Sequence, residues 1–280
     1  MPVLSLSTGS LYTYGIARAF GLAAEAGFDA MELMVDHRWD SRQPAYLKRL
    51  SRDSGLPIAA VHNPFVPSVP GWPRDPQERL VESVALAREL DARVVVTHLP
   101  LRIRAARVEL LGFGGSSLLV PLPLPNERGY CQFLLEELAQ FEQTSGVWIG
   151  VENMPAKRLL GRRVSLWALN RVSVLERMPH LTLDTTHLGT WGLDPLAVYE
   201  RLKGRIVHVH LSNFNGREHR LLEDGQLPLA ELLRRLAGDG YKGAVSLEMG
   251  PDALQAEDEE QVRAHLRRMV AFCREQMSPG

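Results

Sequence analysis

Short apolar runs typical of β-strands alternate with amphipathic stretches typical of helices along the 280-residue chain, and this alternation most restricts its fold. Strands are predicted at residues 3–7, 30–34, 58–62, 94–98, 147–152, 181–184, 206–210 and 244–248. Helices are predicted at residues 14–26, 45–54, 76–90, 127–144, 166–177, 196–202, 229–239 and 257–276. A strand followed each time by a helix favours parallel pairing, with helices covering the sheet. Because eight repeats suit closure and such barrels need about 250 residues, we predict an α/β fold, a (β/α)₈ TIM barrel, as a single domain over residues 1–280.

One predicted connection, residues 101–125 after the fourth strand, is much longer than the others. It contains a cluster of glycines and serines from Gly112 to Ser117 and ends in alternating prolines. A connection of this length in a compact fold is typically a functional lid or a disordered segment. The glycines do not have the spacing of a phosphate-binding loop, so we predict a lid-like loop.

Composition and charge are those of an ordinary globular protein, with 45% hydrophobic and 23% charged residues. The net charge of −1 lacks the basic excess of proteins that grip duplex DNA, so nucleic acid is not the expected partner. Cys131 and Cys273 are far apart and lie in predicted helices, as expected of unpaired core residues in a reducing compartment. We find no secretion signal and no apolar run of about 18 residues. The sequence therefore predicts a soluble, cytoplasmic protein without a membrane partner, and it leaves open whether the chain forms a homo-oligomer.

Residues able to bind a metal end six consecutive predicted strands, from the third to the eighth. These residues are His62, His98, Glu152, Asp184, His210 and Glu248. Any one of them alone is more simply explained as a hydrogen-bonded structural group. In a barrel, however, the carboxyl ends of all strands meet at one mouth, where the active site lies. So many acids and histidines around one cavity would stay unsatisfied without a cation among them, and the sequence therefore predicts a metal site.

The predicted ligands of this metal come from four of the strand ends: Glu152, Asp184, His210 and Glu248. Strand periodicity puts His208 on the same side as His210 but deeper, where a supporting role or a substrate contact stays open. Glu32, in the second strand, is predicted to support the metal ligands or the fold, and a place for it in the pocket stays open. Three carboxylates and one imidazole suit Mn²⁺, Mg²⁺ or Zn²⁺, and ligand types alone do not decide between them. Four more histidines are predicted to line the opening as ligands of further metals or as substrate contacts: His62, His98, His187 and His219.

Several of these segments together resemble a known superfamily. They are Val-Glu-Asn at residue 151, Leu-Asp-Thr-Thr-His at 183, His-Val-His-Leu-Ser-Asn at 208 and Ser-Leu-Glu at 246. In this combination the chain resembles the xylose isomerase-like TIM-barrel superfamily, which contains sugar isomerases, ketose 3-epimerases and endonuclease IV, also described as AP endonuclease family 2. The resemblance covers nearly the whole chain. It implies an enzyme whose central metal is held by Glu152, Asp184, His210 and Glu248.

The resemblance to the epimerase branch implies that Glu152 and Glu248 are also the catalytic residues. One of them would remove the proton next to the substrate carbonyl, and the other would return a proton. A metal bound to the carbonyl and hydroxyl oxygens would stabilise the enediolate, and His187 and Arg217 would hold substrate oxygens. The leading hypothesis is therefore a divalent-metal-dependent isomerase or epimerase of a small sugar or sugar phosphate.

One departure from the epimerase pattern bears on the substrate. Those epimerases tend to carry another glutamate shortly after the fifth strand, whereas this chain has Lys157 and Arg158 there. Either base could meet a phosphate or carboxylate of an acidic sugar derivative. A solvated basic loop is the simpler interpretation.

The main alternative is a zinc-dependent AP endonuclease similar to endonuclease IV. Its trinuclear zinc site resembles His62, His98, Glu152, Asp184, His187, His210, His219 and Glu248. The aspartate expected two residues before the last histidine is replaced by Arg217, which cannot bind a metal. Basic clusters such as Arg162-Arg163 keep a nucleic-acid substrate open. A third hypothesis is a barrel that binds a metal and a small ligand without turnover.

Overall fold

Eight parallel strands close into a barrel in the computed structural model, which describes residues 1–66, 68–109, 117–123 and 128–278. The strands are β1 (Val3–Ser7), β2 (Ala30–Met34), β3 (Ile58–His62), β4 (Val94–Thr97), β5 (Trp148–Glu152), β6 (Leu181–Asp184), β7 (Ile206–Leu211) and β8 (Ala244–Leu247). Each strand pairs with its neighbours in the chain, and β8 closes the ring by pairing with β1. The predicted TIM-barrel fold is confirmed.

The helices lie around this barrel, and several of them begin at an aspartate whose side chain caps the helix. They span Ile16–Ala26, Pro44–Ser54, Pro76–Glu89, Arg128–Gln132, Leu138–Ser145, Val172–Leu175, Thr185–Trp191, Pro195–Leu202, Leu229–Gly238 and Glu259–Met277. A π-helical turn, Phe133–Glu137, joins the fourth helix to the fifth. Asp75 and Asp194 each accept backbone N–H groups at the start of a helix whose first residue is proline.

The predicted helix at residues 166–177 is wrong over most of its length, since only Val172–Leu175 is helical. Arg102 donates its backbone N–H to Leu166, and Ala168 donates to Pro100. These bonds hold the segment extended against the chain that leaves β4, so tertiary pairing overrides the local helical pattern. The sequence also gave no sign of the short helix Thr185–Trp191, which begins directly after β6.

The predicted lid-like loop at 101–125 contains regular structure where it is described. Ile103–Glu109 and Ser117–Pro123 pair as an antiparallel hairpin. Residues 110–116 and 124–127, with most of the glycine cluster, lie outside the described residues. A second hairpin pairs Lys157–Leu159 with Arg162–Val164, where a basic loop was expected. The role of residues 101–125 as a lid stays a prediction.

The inside of the barrel is unusually polar. Leu4, Leu33 and Leu183 face outward into the core shared with the helices, as expected for alternating strand residues. Glu32 on β2 contacts His208 on β7, although these strands are not neighbours, so their side chains meet across the interior. Bulky apolar residues usually fill this space, so a buried polar layer here needs a partner or a function.

Over the ranges that the structure covers, no helix is both long enough and apolar enough to cross a bilayer.

Candidate metal centre and active site

The structure brings the four predicted metal ligands together at the carboxyl ends of β5 to β8. Each of them offers one ligand atom, and these atoms all lie within 4.8 Å of one another: Glu152, Asp184, His210 and Glu248. Nδ1 of His210 lies centrally, 3.1 Å from Oε2 of Glu248, 3.4 Å from Oε1 of Glu152 and 3.7 Å from Oδ2 of Asp184. Glu152 and His210 are 58 residues apart in the chain, yet they belong to one compact set of donors.

The donor set fits a divalent cation. Glu152, Asp184 and His210 are almost fully buried, and only Glu248 is partly exposed, with 13% of its side chain accessible. Oδ2 of Asp184 is buried without a hydrogen-bond partner. Oε2 of Glu152 also lacks one, although Nε2 of His98 is 3.1 Å away without hydrogen-bond alignment. Buried, unpartnered carboxylate oxygens are costly unless a cation binds them.

The ionisation of the cluster indicates the same need for positive charge. Burial alone would lower the pKa of His210, but the charges of Glu32, Glu248 and Glu152 raise it well above its usual value. Burial would raise the pKa of Glu152, but His98 and His210 hold it well below its usual value. Without a metal, a proton on His210 supplies the positive charge that the carboxylates require. A bound cation would displace that proton.

Two of the additional histidines lie on one side of this cluster. Nε2 of His62 is 3.6 Å and Nε2 of His98 is 3.1 Å from Oε2 of Glu152. His62, Glu152 and His210 form a second group whose ligand atoms lie within 4.8 Å of one another. The two histidines are thus placed either to bind another ion or to contact a substrate.

The other two histidines lie on the opposite side, with Asp184. His187 follows Asp184 in the short helix, and Asp184 caps that helix by accepting the backbone N–H of His187 at 2.7 Å. Burial would lower the pKa of His187, but the charge of Asp184 and the bond to Glu152 raise it to about 9. His219 completes a third group with Asp184 and His187.

Arg217 is paired with an aspartate outside the described wall of the cavity above the cluster. Its guanidinium pairs with Asp252 at 2.5 Å, and its side chain is 69% exposed. Arg217 is not among the described residues that line the cavity above the cluster. Asp252, 35 residues away, holds the guanidinium there, and a contact of Arg217 with substrate oxygens stays a prediction.

The cavity above the cluster has a volume of about 370 Å³. Glu152, Glu248 and His98 lie in its wall, together with Phe65 and Trp167. A space of this size at the carboxyl ends of the strands suits a small molecule.

The family model described as "Xylose isomerase-like TIM barrel" matches residues 20–272 of this chain. The chain belongs to this family.

Individual proteins similar to this xylose isomerase-like barrel include characterised and uncharacterised members. An uncharacterized protein of Mycobacterium leprae is 29% identical over 92% of both chains. The structure of D-allulose 3-epimerase from Methylomonas sp. in complex with D-allulose is 15% identical, covers 98% of this chain and 97% of that chain, and has a TM-score of 0.66. AP endonuclease, family 2, from Brucella melitensis is 18% identical, with coverage of 90% and 94% and a TM-score of 0.63. At these identities, the structural likeness shows the fold alone.

The position of Glu32 in this xylose isomerase-like barrel favours a supporting role behind the ligand His210, one of the roles expected of it. Its Oε2 lies 3.0 Å from Nε2 of His210 and also contacts Nε2 of His208. Burial would raise the pKa of Glu32, but His210 and His208 hold it well below its usual value. An ionised carboxylate only accepts hydrogen bonds, so Nε2 of His210 must donate. This leaves Nδ1 of His210 to face the metal ligands.

Glu32→Gln is therefore expected to weaken metal binding by about 10- to 100-fold, because partners that orient a metal-binding histidine contribute this much. Affinity for Mn²⁺ would be measured by competition with a chelating dye. The control is Glu82→Gln, an exposed glutamate on the helix Pro76–Glu89. Unchanged affinity in a folded Glu32→Gln protein would show that Glu32 does not orient His210.

Lys157 is paired with a glutamate in this family member. Its Nζ contacts Oε1 of Glu218 at 2.9 Å, and both residues line the cavity. Arg158, the next residue of the same hairpin, is exposed. Lys157 and Glu218 come from the loops after β5 and β7, so their ion pair spans part of the cavity mouth.

Adding a divalent metal is expected to stabilise the protein, because an ion that binds only the folded state shifts the folding equilibrium. At 100 times its Kd, the ion would add about 2.7 kcal/mol to the free energy of unfolding. This corresponds to a rise in Tm of roughly 5 °C or more for a chain of this size. Thermal unfolding with Mn²⁺, Zn²⁺ or Mg²⁺ after removal of metal by EDTA measures the shift. An unchanged Tm with all three ions at millimolar concentration would contradict a metal site here.

Proposed function

We propose that this protein is a divalent-metal-dependent isomerase or epimerase of a small sugar or sugar derivative, working by proton transfer next to the substrate carbonyl. One observation carries the proposal. Glu152 and Glu248 share one cluster of metal donors and also line one cavity. Their strands, β5 and β8, are separated in the ring by β6 and β7, so the carboxylates approach the cavity from different directions.

The chain's own residues can perform the proton transfers. A carboxylate within hydrogen-bond reach of a carbon next to a carbonyl can remove its proton, and a second carboxylate can return one. A bound divalent cation would stabilise the negative charge that develops on the carbonyl oxygen. Glu248 is the more accessible of the two acids, whereas Glu152 is 1% exposed and held among histidines. Their environments differ, as two distinct roles in proton transfer require.

The structural comparisons support a sugar as the substrate class. The similar structure from Methylomonas sp. is a D-allulose 3-epimerase with D-allulose bound, and its fold extends over nearly all of this chain. The cavity of about 370 Å³ is large enough for a monosaccharide. Phe65 and Trp167 in its wall offer aromatic faces to a sugar ring.

Solvent exchange tests this proposal directly. The metal-loaded protein would be incubated in D₂O with a panel of ketoses, ketose phosphates and ketouronates. Deuterium incorporated next to the carbonyl would be detected by NMR. We expect incorporation into at least one compound, and its loss when EDTA is added. Absence of incorporation across the panel with every metal would overturn the proposal.

A second candidate function, an AP endonuclease, is favoured by one specific observation. The groups His62–Glu152–His210 and Asp184–His187–His219 share members with the central cluster and add three histidines, which could supply ligands for a further ion. Two or three bound Zn²⁺ ions per chain together with nicking of an abasic DNA duplex would support this function. One ion per chain and no nicking would support the isomerase.

A further inference from the structure

A second cavity opens beside the catalytic one, and the charged residues among its described lining are all arginines. Its volume is about 530 Å³, and it is formed by the chain segments that follow β4, β5 and β6. Its walls include Arg102, Arg163 and Arg171, and no aspartate or glutamate is found among the described residues that line it. We call it the arginine cavity. It lies on the face of the barrel that carries the catalytic cavity.

The arginines of this cavity lack the ion pairs that many other arginines of the chain form. Arg220, for example, contacts both Asp224 and Asp252. Over the part of the chain that the structure describes, none of the three cavity arginines contacts a carboxylate. Arg163 donates to the backbone carbonyl of Trp191 at 2.6 Å, a bond that holds its guanidinium in place. The arginine cavity therefore has an excess of positive charge that the protein does not neutralise.

The arginine cavity adjoins the catalytic cavity. Met154 and Trp167 line both of them. Trp191, in the wall of the arginine cavity, donates its indole N–H to the backbone carbonyl of Met154 at 2.9 Å. Met154 is only two residues from Glu152. A ligand that extends past Met154 and Trp167 can thus occupy both cavities at once.

We propose that the arginine cavity binds an anionic group, a phosphate or a carboxylate, at the far end of the substrate that reacts at Glu152 and Glu248. This inference rests on the proposed isomerase function and names the class of its substrate. Guanidinium groups stay charged and make paired, charge-assisted hydrogen bonds to phosphate and carboxylate oxygens. No arginine is found among the described residues that line the catalytic cavity, so the guanidinium donors for an anionic group lie in the arginine cavity. The two cavities would therefore orient the substrate in one direction, with its neutral carbonyl end at the acids.

Binding of inorganic phosphate to the metal-free protein tests the arginine cavity separately from catalysis. Trp167 and Trp191 line the cavity, so tryptophan fluorescence should report occupancy. We expect saturable binding that weakens as salt is added. In Arg102→Gln/Arg171→Gln, the Kd should rise by about tenfold or more, the loss of affinity expected when charge-assisted bonds are removed.

Two variants make this result interpretable. Arg171→Gln alone is the safer substitution, because the Arg171 side chain makes no capping bond to the helix Val172–Leu175. Arg267→Gln, an exposed arginine on the C-terminal helix, is the matched control and should leave the Kd unchanged. Absence of saturable binding, or equal Kd values in all folded variants, would overturn the proposal. If phosphate binds to the arginine cavity but no sugar exchanges deuterium, the anion site stands and only the proposed reaction is contradicted.

A second set of ligands distinguishes the two sources of the anion. The Kd would be compared for a pentulose phosphate, a ketouronate and the neutral pentulose. Tighter binding of the phosphate ester or of the carboxylate, lost in Arg171→Gln, would identify the group and support the proposal. Equal Kd values for all three would contradict it. An abasic DNA duplex that binds through these arginines, while the pentulose phosphate does not, would overturn it in favour of a nucleic-acid surface.

Discussion

Replacing Glu152 or Glu248 by glutamine is expected to lower the rate of substrate proton exchange by about 10²- to 10⁴-fold, which is the usual contribution of a positioned acid or base. Glutamine keeps the size of each side chain but cannot accept a proton from carbon. Each substitution also removes one negative donor from the metal cluster, so saturating metal must be present during the assay. Deuterium incorporation in D₂O measures the rate.

The control for these variants is Glu218→Gln. This glutamate also lines the cavity, but it pairs with Lys157 and belongs to none of the groups of metal donors found among the described residues. It should change KM more than kcat, whereas the two catalytic variants should lose kcat. If both Glu152→Gln and Glu248→Gln kept the exchange rate of the unmodified protein, the proposed proton transfer would be wrong.

The largest expected effect on metal binding comes from Asp184→Asn. The substitution replaces the buried, unpartnered Oδ2 by an amide nitrogen, which cannot bind a cation. Oδ1 remains able to accept the backbone N–H of His187, so the helix that starts there keeps its cap. We expect Mn²⁺ affinity to fall by at least about 100-fold, more than for loss of an orienting partner. Calorimetric titration measures the change.

Asp194→Asn provides a closely matched control for this variant. Asp194 caps the next helix, Pro195–Leu202, in the same manner, by accepting the backbone N–H of Leu196. It belongs to none of the groups of metal donors in the described part of the chain. Its affinity for metal should be unchanged. A similar loss of affinity in both variants would mean that helix capping, and not metal ligation, explains the effect.

The barrel was predictable from sequence because its strands are short, apolar and regularly spaced. β3, β5 and β6 end at His62, Glu152 and Asp184, as the pattern indicates. The helix predicted at 166–177 failed for a physical reason. The local pattern of this segment competes with backbone hydrogen bonds to residues 100–102. Such bonds to a distant segment cannot be predicted from the local pattern. The helix Thr185–Trp191, which Asp184 caps, was also missed, because its threonine-rich sequence did not indicate a helix.

The candidate site was predictable to the extent that it depends on strand ends. Side chains at the ends of neighbouring parallel strands converge whatever their distance in the chain. The orientation of His210 was not predictable, because it depends on Glu32, which meets it across the barrel interior from a distance of 178 residues in sequence. The position of Arg217 depends in the same way on Asp252, in a loop after another strand. Contacts of this kind follow from the closed barrel and not from local sequence.

We expect Glu152, Asp184, His210 and Glu248 to bind one ion together. Crystals grown with Mn²⁺ or Zn²⁺ and measured at the absorption edge of the metal would test this. We expect an anomalous peak about 2.0–2.3 Å from one atom of each of these four side chains, with Nδ1 of His210 as the nitrogen ligand. A protein saturated with metal that shows no peak at this cluster, or a peak bound only by other residues, would contradict it.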